Sequence, residues 1–163
     1  MKPRVLILGA IPLLAAAVAA QTPAAQPDAK AGQSDHSQMG HSPEGGRPLS
    51  ASLTGAAEVP GPGDPDGSGS ATLRVNPGQT QVCYTLTVTG IDAATAAHIH
   101  TGATGVAGPV AVPLTAPANG RSEGCATVTR DLAQALIRNP GGYYVNVHNA
   151  AFPNGAVRGQ LGR

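Results

Sequence analysis

Between Leu49 and Leu161 apolar and polar residues alternate in short runs separated by turn-forming clusters. The clearest run is Gln81 to Val88, where Val82, Tyr84, Leu86 and Val88 share one face and Cys83, Thr85 and Thr87 the other. Similar runs fall at 51–54, 71–75, 96–100, 110–114, 124–129, 143–148 and 156–161. Asn76-Pro77-Gly78 and Pro153-Asn154-Gly155 carry the residues that turns require. About eight short strands at this spacing predict an all-β domain, a Greek-key-like β-sandwich. One stretch breaks the alternation, at 131–139. There Leu132, Ala135 and Leu136 fall on one helical face, Asp131 stands where a cap belongs, and Pro140-Gly141 stops the pattern. It predicts one short helix.

Two of the strands carry unusual polar faces. In Ala97-His98-Ile99-His100-Thr101-Gly102 the two histidines project together, opposite Ile99. In Tyr144-Val145-Asn146-Val147-His148-Asn149 the valines share one face and Tyr144, Asn146 and His148 the other. If these strands are neighbours, His98, His100 and His148 converge. Imidazole binds copper and zinc well, and three such ligands leave a position open to water or substrate. The plainer alternative is a set of solvent-facing polar histidines, with or without hydrogen bonds to loops. Asn146 or Glu58 would orient an imidazole from behind, and Arg158 joins them as a supporting residue. Glu58 is equally placed to form a structural ion pair with Arg158.

Composition bounds the rest. The chain has 163 residues, 22 Gly and 15 Pro, no Trp, one Phe and a net charge of +1. Without a basic stripe or an aromatic platform, nucleic acid and anionic membrane surfaces are poor partners. Lys2 and Arg4 followed by the apolar run Val5 to Ala17 read as a signal peptide over 1–20, with cleavage after Ala20. No run is long enough for a membrane span in the mature protein. Export implies a periplasmic or secreted location. There Cys83 and Cys125 predict a disulfide closing a loop of about 40 residues; two free buried thiols are the alternative. Residues 21–48 lack branched apolar residues and read as a disordered linker. The folded domain is expected over 49–163, monomeric or weakly associating. Within the linker, His36, Met39 and His41 combine imidazole and thioether, which suits copper as an auxiliary site. A polar linker with chance histidines is the alternative there.

Three apparent motifs fail on context. Gly120-Arg121-Ser122-Glu123-Gly124 fits a hydrolase nucleophile elbow, but a strand follows it where the elbow needs a helix. Asp64-Pro65-Asp66-Gly67-Ser68-Gly69 begins like a calcium loop, yet Val75 stands where the bidentate Glu belongs. A Gly-rich turn entering the next strand explains it better. Gly102 to Gly108 is Gly-rich without the phosphate-binding pattern.

The order of Leu53-Thr54-Gly55, Glu58-Val59-Pro60, Gly67-Ser68-Gly69, Ala97-His98-Ile99-His100-Thr101-Gly102, Gly108-Pro109-Val110, Tyr144-Val145-Asn146-Val147-His148 and Gly155-Ala156-Val157-Arg158-Gly159-Gln160-Leu161 resembles the CHRD domain, the module named after chordin. The resemblance spans about 49–162. It implies an all-β exported module, found in chordin beside modules that bind secreted growth factors and in many exported microbial proteins. His98, His100 and His148 also resemble the copper ligands of Cu/Zn superoxide dismutases. The bridging histidine and the zinc set of those enzymes have no counterpart here. Three functions follow as expectations. The first is a metal-binding envelope protein using His98, His100 and His148, with copper first and zinc second. The second is a metal-free module holding an unidentified envelope or extracellular protein. The third is a dismutase-like enzyme, for which Arg158 would supply positive charge.

Overall fold

The computed structural model describes residues 45–163. Eight strands are present: β1 (Arg47–Thr54), β2 (Ser68–Asn76), β3 (Gln81–Thr89), β4 (Ala94–Thr101), β5 (Val110–Leu114), β6 (Arg121–Thr127), β7 (Tyr143–Asn149) and β8 (Val157–Gln160). They pair antiparallel in one sheet of order β5-β4-β7-β8-β1-β2-β3-β6. β1, β2 and β3 form a meander that β6 extends. β4, β5, β7 and β8 form the other half. The connections β3–β4, β5–β6 and β6–β7 cross between halves, as in a Greek-key-like sandwich. The halves are continuous through β1 and β8, where Thr54 pairs with Arg158 and Ser50 bridges Gly162. The sheet therefore rolls up almost into a barrel.

The remaining seam, between β5 and β6, is bridged by side chains. Thr115 N–H donates to Tyr84 Oη at 2.8 Å, and Ser122 Oγ donates to the Thr115 carbonyl at 2.7 Å. This explains why Tyr84 sits on the apolar face of β3 without an orphaned hydroxyl. The alternation read from β3 holds: Val82, Tyr84, Leu86 and Val88 are buried. β1 reaches back to Arg47, two residues into the stretch read as linker. The turn at 64–67 is built by Asp64, whose carboxylate accepts from Asp66 N–H, as a Gly-rich entry to β2 requires.

The helix, α1 (Arg130–Arg138), corrects two details of the sequence reading. Its cap is Thr129, whose Oγ1 accepts from Leu132 N–H at 3.2 Å. Asp131 lies instead in the first turn, where its charge meets the positive end of the helix dipole. The fully buried face is Ala133 and Leu136, with Leu132 and Ile137 packed partly at its sides.

Cys83 and Cys125 stand directly opposite each other on β3 and β6 and are disulfide-bonded, 42 residues apart. Closing a loop of that length in the unfolded chain stabilises the fold by up to about 4 kcal/mol. The Cys83→Ala/Cys125→Ala pair is expected to lower the free energy of urea unfolding by about 2–4 kcal/mol. Reducing the wild type should give the same loss.

Candidate metal centre

β4 and β7 are neighbours, with His98 opposite Asn146, His100 opposite Tyr144 and Ala96 opposite His148. His148 is thus a diagonal neighbour of His98 on the same face, close enough for long side chains to meet. The β4–β5 register shifts between Ile99 and His100, a local irregularity beside the ligand strand. The three histidines converge. His98 Nδ1 is 3.2 Å from His148 Nε2, and one ligand atom from each of the three rings lies within 4.8 Å of the others. The His98 ring centre is 5.4 Å from that of His100 and 5.0 Å from that of His148. Nitrogens bound tetrahedrally to one ion at about 2.0–2.1 Å lie roughly 3.4 Å apart. The closest pair, at 3.2 Å, is near that spacing, and the widest, within 4.8 Å, needs an adjustment of at most about 1.4 Å, within reach of a side-chain torsion.

Two of the rings are oriented from behind by backbone. His100 Nδ1 lies 2.8 Å from the Gly108 carbonyl, and His148 Nδ1 lies 3.0 Å from the Pro153 carbonyl. A carbonyl only accepts, so both Nδ1 atoms carry the proton and both Nε2 atoms present a lone pair. The Nε2 of His100 is buried and has no hydrogen-bond partner. His98 Nδ1 then donates to the bare Nε2 of His148.

The polar face is partly covered, and two of its histidines bond to loop carbonyls, an arrangement the plainer alternative also allowed. The loop Gly102–Pro109 lies across it. Gly108 comes so close to β4 that a Cβ there would collide with the Thr101 carbonyl, so only glycine brings that carbonyl to His100. Tyr144 and Asn146 are buried beneath the cover, and His98 and His148 are half-buried.

Glu58 and Arg158 are also buried, at 7% and 2% exposure. They do not form the ion pair suggested as an alternative. Among the described residues the one ion pair is the exposed Arg121–Glu123 contact. Arg158 Nη2 donates to the carbonyls of Ala103 and Val106 at 3.1 and 2.9 Å. Glu58 packs against Gly155, where no Cβ fits, and its Oε1 is left without a partner. Asn146 Oδ1 and Arg158 Nη1 are similarly unpartnered. A cavity of about 240 Å³ lies between Glu58, Thr104, Arg158 and Gln160. A larger groove of about 740 Å³ runs over the outside of β1, β2, β3 and β6 beside the disulfide, and none of the histidines lines it. His36, Met39 and His41 lie outside the described residues.

The sequence reading did not identify Tyr144, Gly108 or Pro153 as site residues. Backbone carbonyls leave no trace in residue identity, although the dense glycines of 102–108 mark a chain that must approach something closely.

A family model described as the CHRD domain matches residues 49–161. The chain belongs to the CHRD family. Comparison with curated proteins finds no match, and neither does comparison with solved structures. The matched segment of the CHRD domain holds all three histidines, Glu58, Tyr144, Asn146 and Arg158. Among the described residues no helix is long and apolar enough to cross a membrane.

Burial sets the titration of the site. It pushes Glu58 from an ordinary 4.5 up to about 7, against the pull of Arg158. Burial likewise holds His98 and His148 below the usual 6.5, reinforced at His98 by the charges of His148 and His100. A buried acid that prefers its neutral form loses stability as pH rises from the unfolded value through the folded one. Glu58→Gln is therefore expected to match the wild type in Tm at pH 4 and exceed it at pH 8. Histidines that prefer to stay neutral act on the other side. Metal-free protein should lose stability as pH falls below about 6.5, and less so in His98→Ala. Thermal melts across this range check both.

Proposed function

We propose that this CHRD-domain protein is exported and binds a metal ion, copper first and zinc second, through His98, His100 and His148. The supporting observation is the buried, unpartnered Nε2 of His100 beside two further imidazoles. An orphaned buried polar atom costs about 1–3 kcal/mol, and coordination removes that cost. Its lone pair is fixed outward by the Gly108 carbonyl, and the Pro153 carbonyl does the same for His148. His98 would offer Nδ1, shifting its proton to Nε2 as it exchanges His148 for the ion. Backbone carbonyls behind ligand imidazoles fix tautomer and ring angle and raise ligand basicity. Asn146 lies opposite His98 in the ladder and would steady that ring. The all-nitrogen donor set suits copper and zinc over magnesium or calcium. His36, Met39 and His41 would form an auxiliary copper site ahead of the domain.

Among the described residues this is the one group of three or more metal-binding side chains, so a second metal of the dismutase kind has no support from them. Arg158 lies beneath the loop at 2% exposure, a poor position for guiding an anion. The enzyme reading therefore stands behind metal binding.

Titration of the mature protein with Cu(II) and Zn(II) tests the proposal. One ion per chain is expected, with copper the tighter. His98→Ala and His148→Ala should each weaken it by more than the roughly 10–100-fold typical of outer partners. Unchanged copper affinity in both variants would overturn the site. Capture of a protein partner that ignores chelator would then favour the metal-free module.

A further inference from the structure

Tyr144 has no place among the ligands, yet the cover of the site is organised around it. β7 lies between β4 and β8. From the β4 side the His100 ring stacks on Tyr144, with ring centres 4.8 Å apart and planes within 10° of parallel. From the β8 side the Arg158 guanidinium lies 3.4 Å from the centre of the same ring. The phenol is thus held between an imidazole and a cation, both at stacking distance. Its hydroxyl reaches the loop, where it accepts from Gly108 N–H at 3.2 Å. The carbonyl of that same residue accepts from His100 Nδ1. Tyr144 therefore fixes His100 twice, by its ring face and through Gly108.

The loop has its own anchors. Arg158 holds the carbonyls of Ala103 and Val106, and Gln160 Nε2 donates to the Gly102 carbonyl at 2.8 Å. Gly108 is thereby placed before any ion arrives. A parallel stack restricts tilt of the imidazole, and the hydrogen bond restricts rotation within its plane. Those are the two freedoms that decide where Nε2 points.

We propose that Tyr144 is the positioning residue of this centre: stacked on His100 and bonded to Gly108, it presets the direction and tautomer of the His100 ligand. The inference rests on the metal-binding reading. Arg158 acts behind Tyr144, as a cation that braces the ring and pins the loop.

The test uses Tyr144→Phe and Tyr144→Leu in the full mature chain. Long-range ¹⁵N–¹H NMR of metal-free protein reads the His100 tautomer, and competition titration with EPR reads Cu(II) affinity and ligand geometry. Wild type should show His100 purely as the Nδ1–H form. The Phe variant keeps the ring and loses the Gly108 link, so it should show mixed tautomers and a modest loss of affinity. The Leu variant should weaken Cu(II) binding by roughly 10–100-fold and shift the EPR hyperfine splitting. A merely structural residue would lower Tm and leave tautomer, affinity and spectrum unchanged in the folded protein, which would overturn the proposal. If the Leu variant does not fold, the Phe variant decides by the same readouts. A wild type that binds no copper defeats the metal reading itself, a different failure from unaltered variants of a protein that does.

Discussion

The antiparallel register of β4 against β7 is the constraint on which the rest of the centre depends. Ile99, Val145 and Val147 are wholly buried on the inner side of these strands. Together they contribute on the order of 5–9 kcal/mol of apolar burial, comparable with the whole stability of a small domain, about 5–15 kcal/mol. A slip of β4 by one residue would turn Ile99 outward and carry His98 and His100 into the core. The valines and the isoleucine thus set the positions of the imidazoles on the opposite face. Precision at the polar site is inherited from packing at the apolar one.

The second determinant is the cover. β7 is buried on both faces, unlike a sandwich strand with one wet side. Loop Gly102–Pro109 supplies the covering layer, and it does so with backbone: the Gly108 carbonyl goes to His100, while Ala103 and Val106 receive Arg158. The segment around Pro153 plays the same part for His148. The carbonyls direct the imidazole lone pairs, while burial favours the neutral form of His98 and His148.

Much of this was legible in the chain. Alternation identified the eight strands and the apolar face of β3, because one-sided burial writes itself into a period of two. The two cysteines identified their own bridge, and the order of short motifs identified the CHRD family. Opposite faces for Ile99 and its flanking histidines followed from the same period. What sequence left unread is what residue identity does not encode. The pairing of β4 with β7 is a long-range choice, so convergence of the histidines stood as a condition. Glu58 and Arg158 are opposite in charge and both buried, but loop carbonyls claim the guanidinium, so the ion pair that stood as one alternative does not form. Thr129 takes the cap from Asp131 because the helix begins one residue earlier than its apolar pattern.

β8 is only four residues long, and it is the last in order of the eight strands described. It closes the sheet onto β1 and delivers Arg158 and Gln160 to the loop over the histidines. The three imidazoles come from β4 and β7, but the cover that orients them is fastened by residues that follow both. In a chain made from its N-terminus, the meander and the disulfide partners exist well before this clasp does. Loss of β8 would spare every histidine and remove the two side chains that fasten the loop over them.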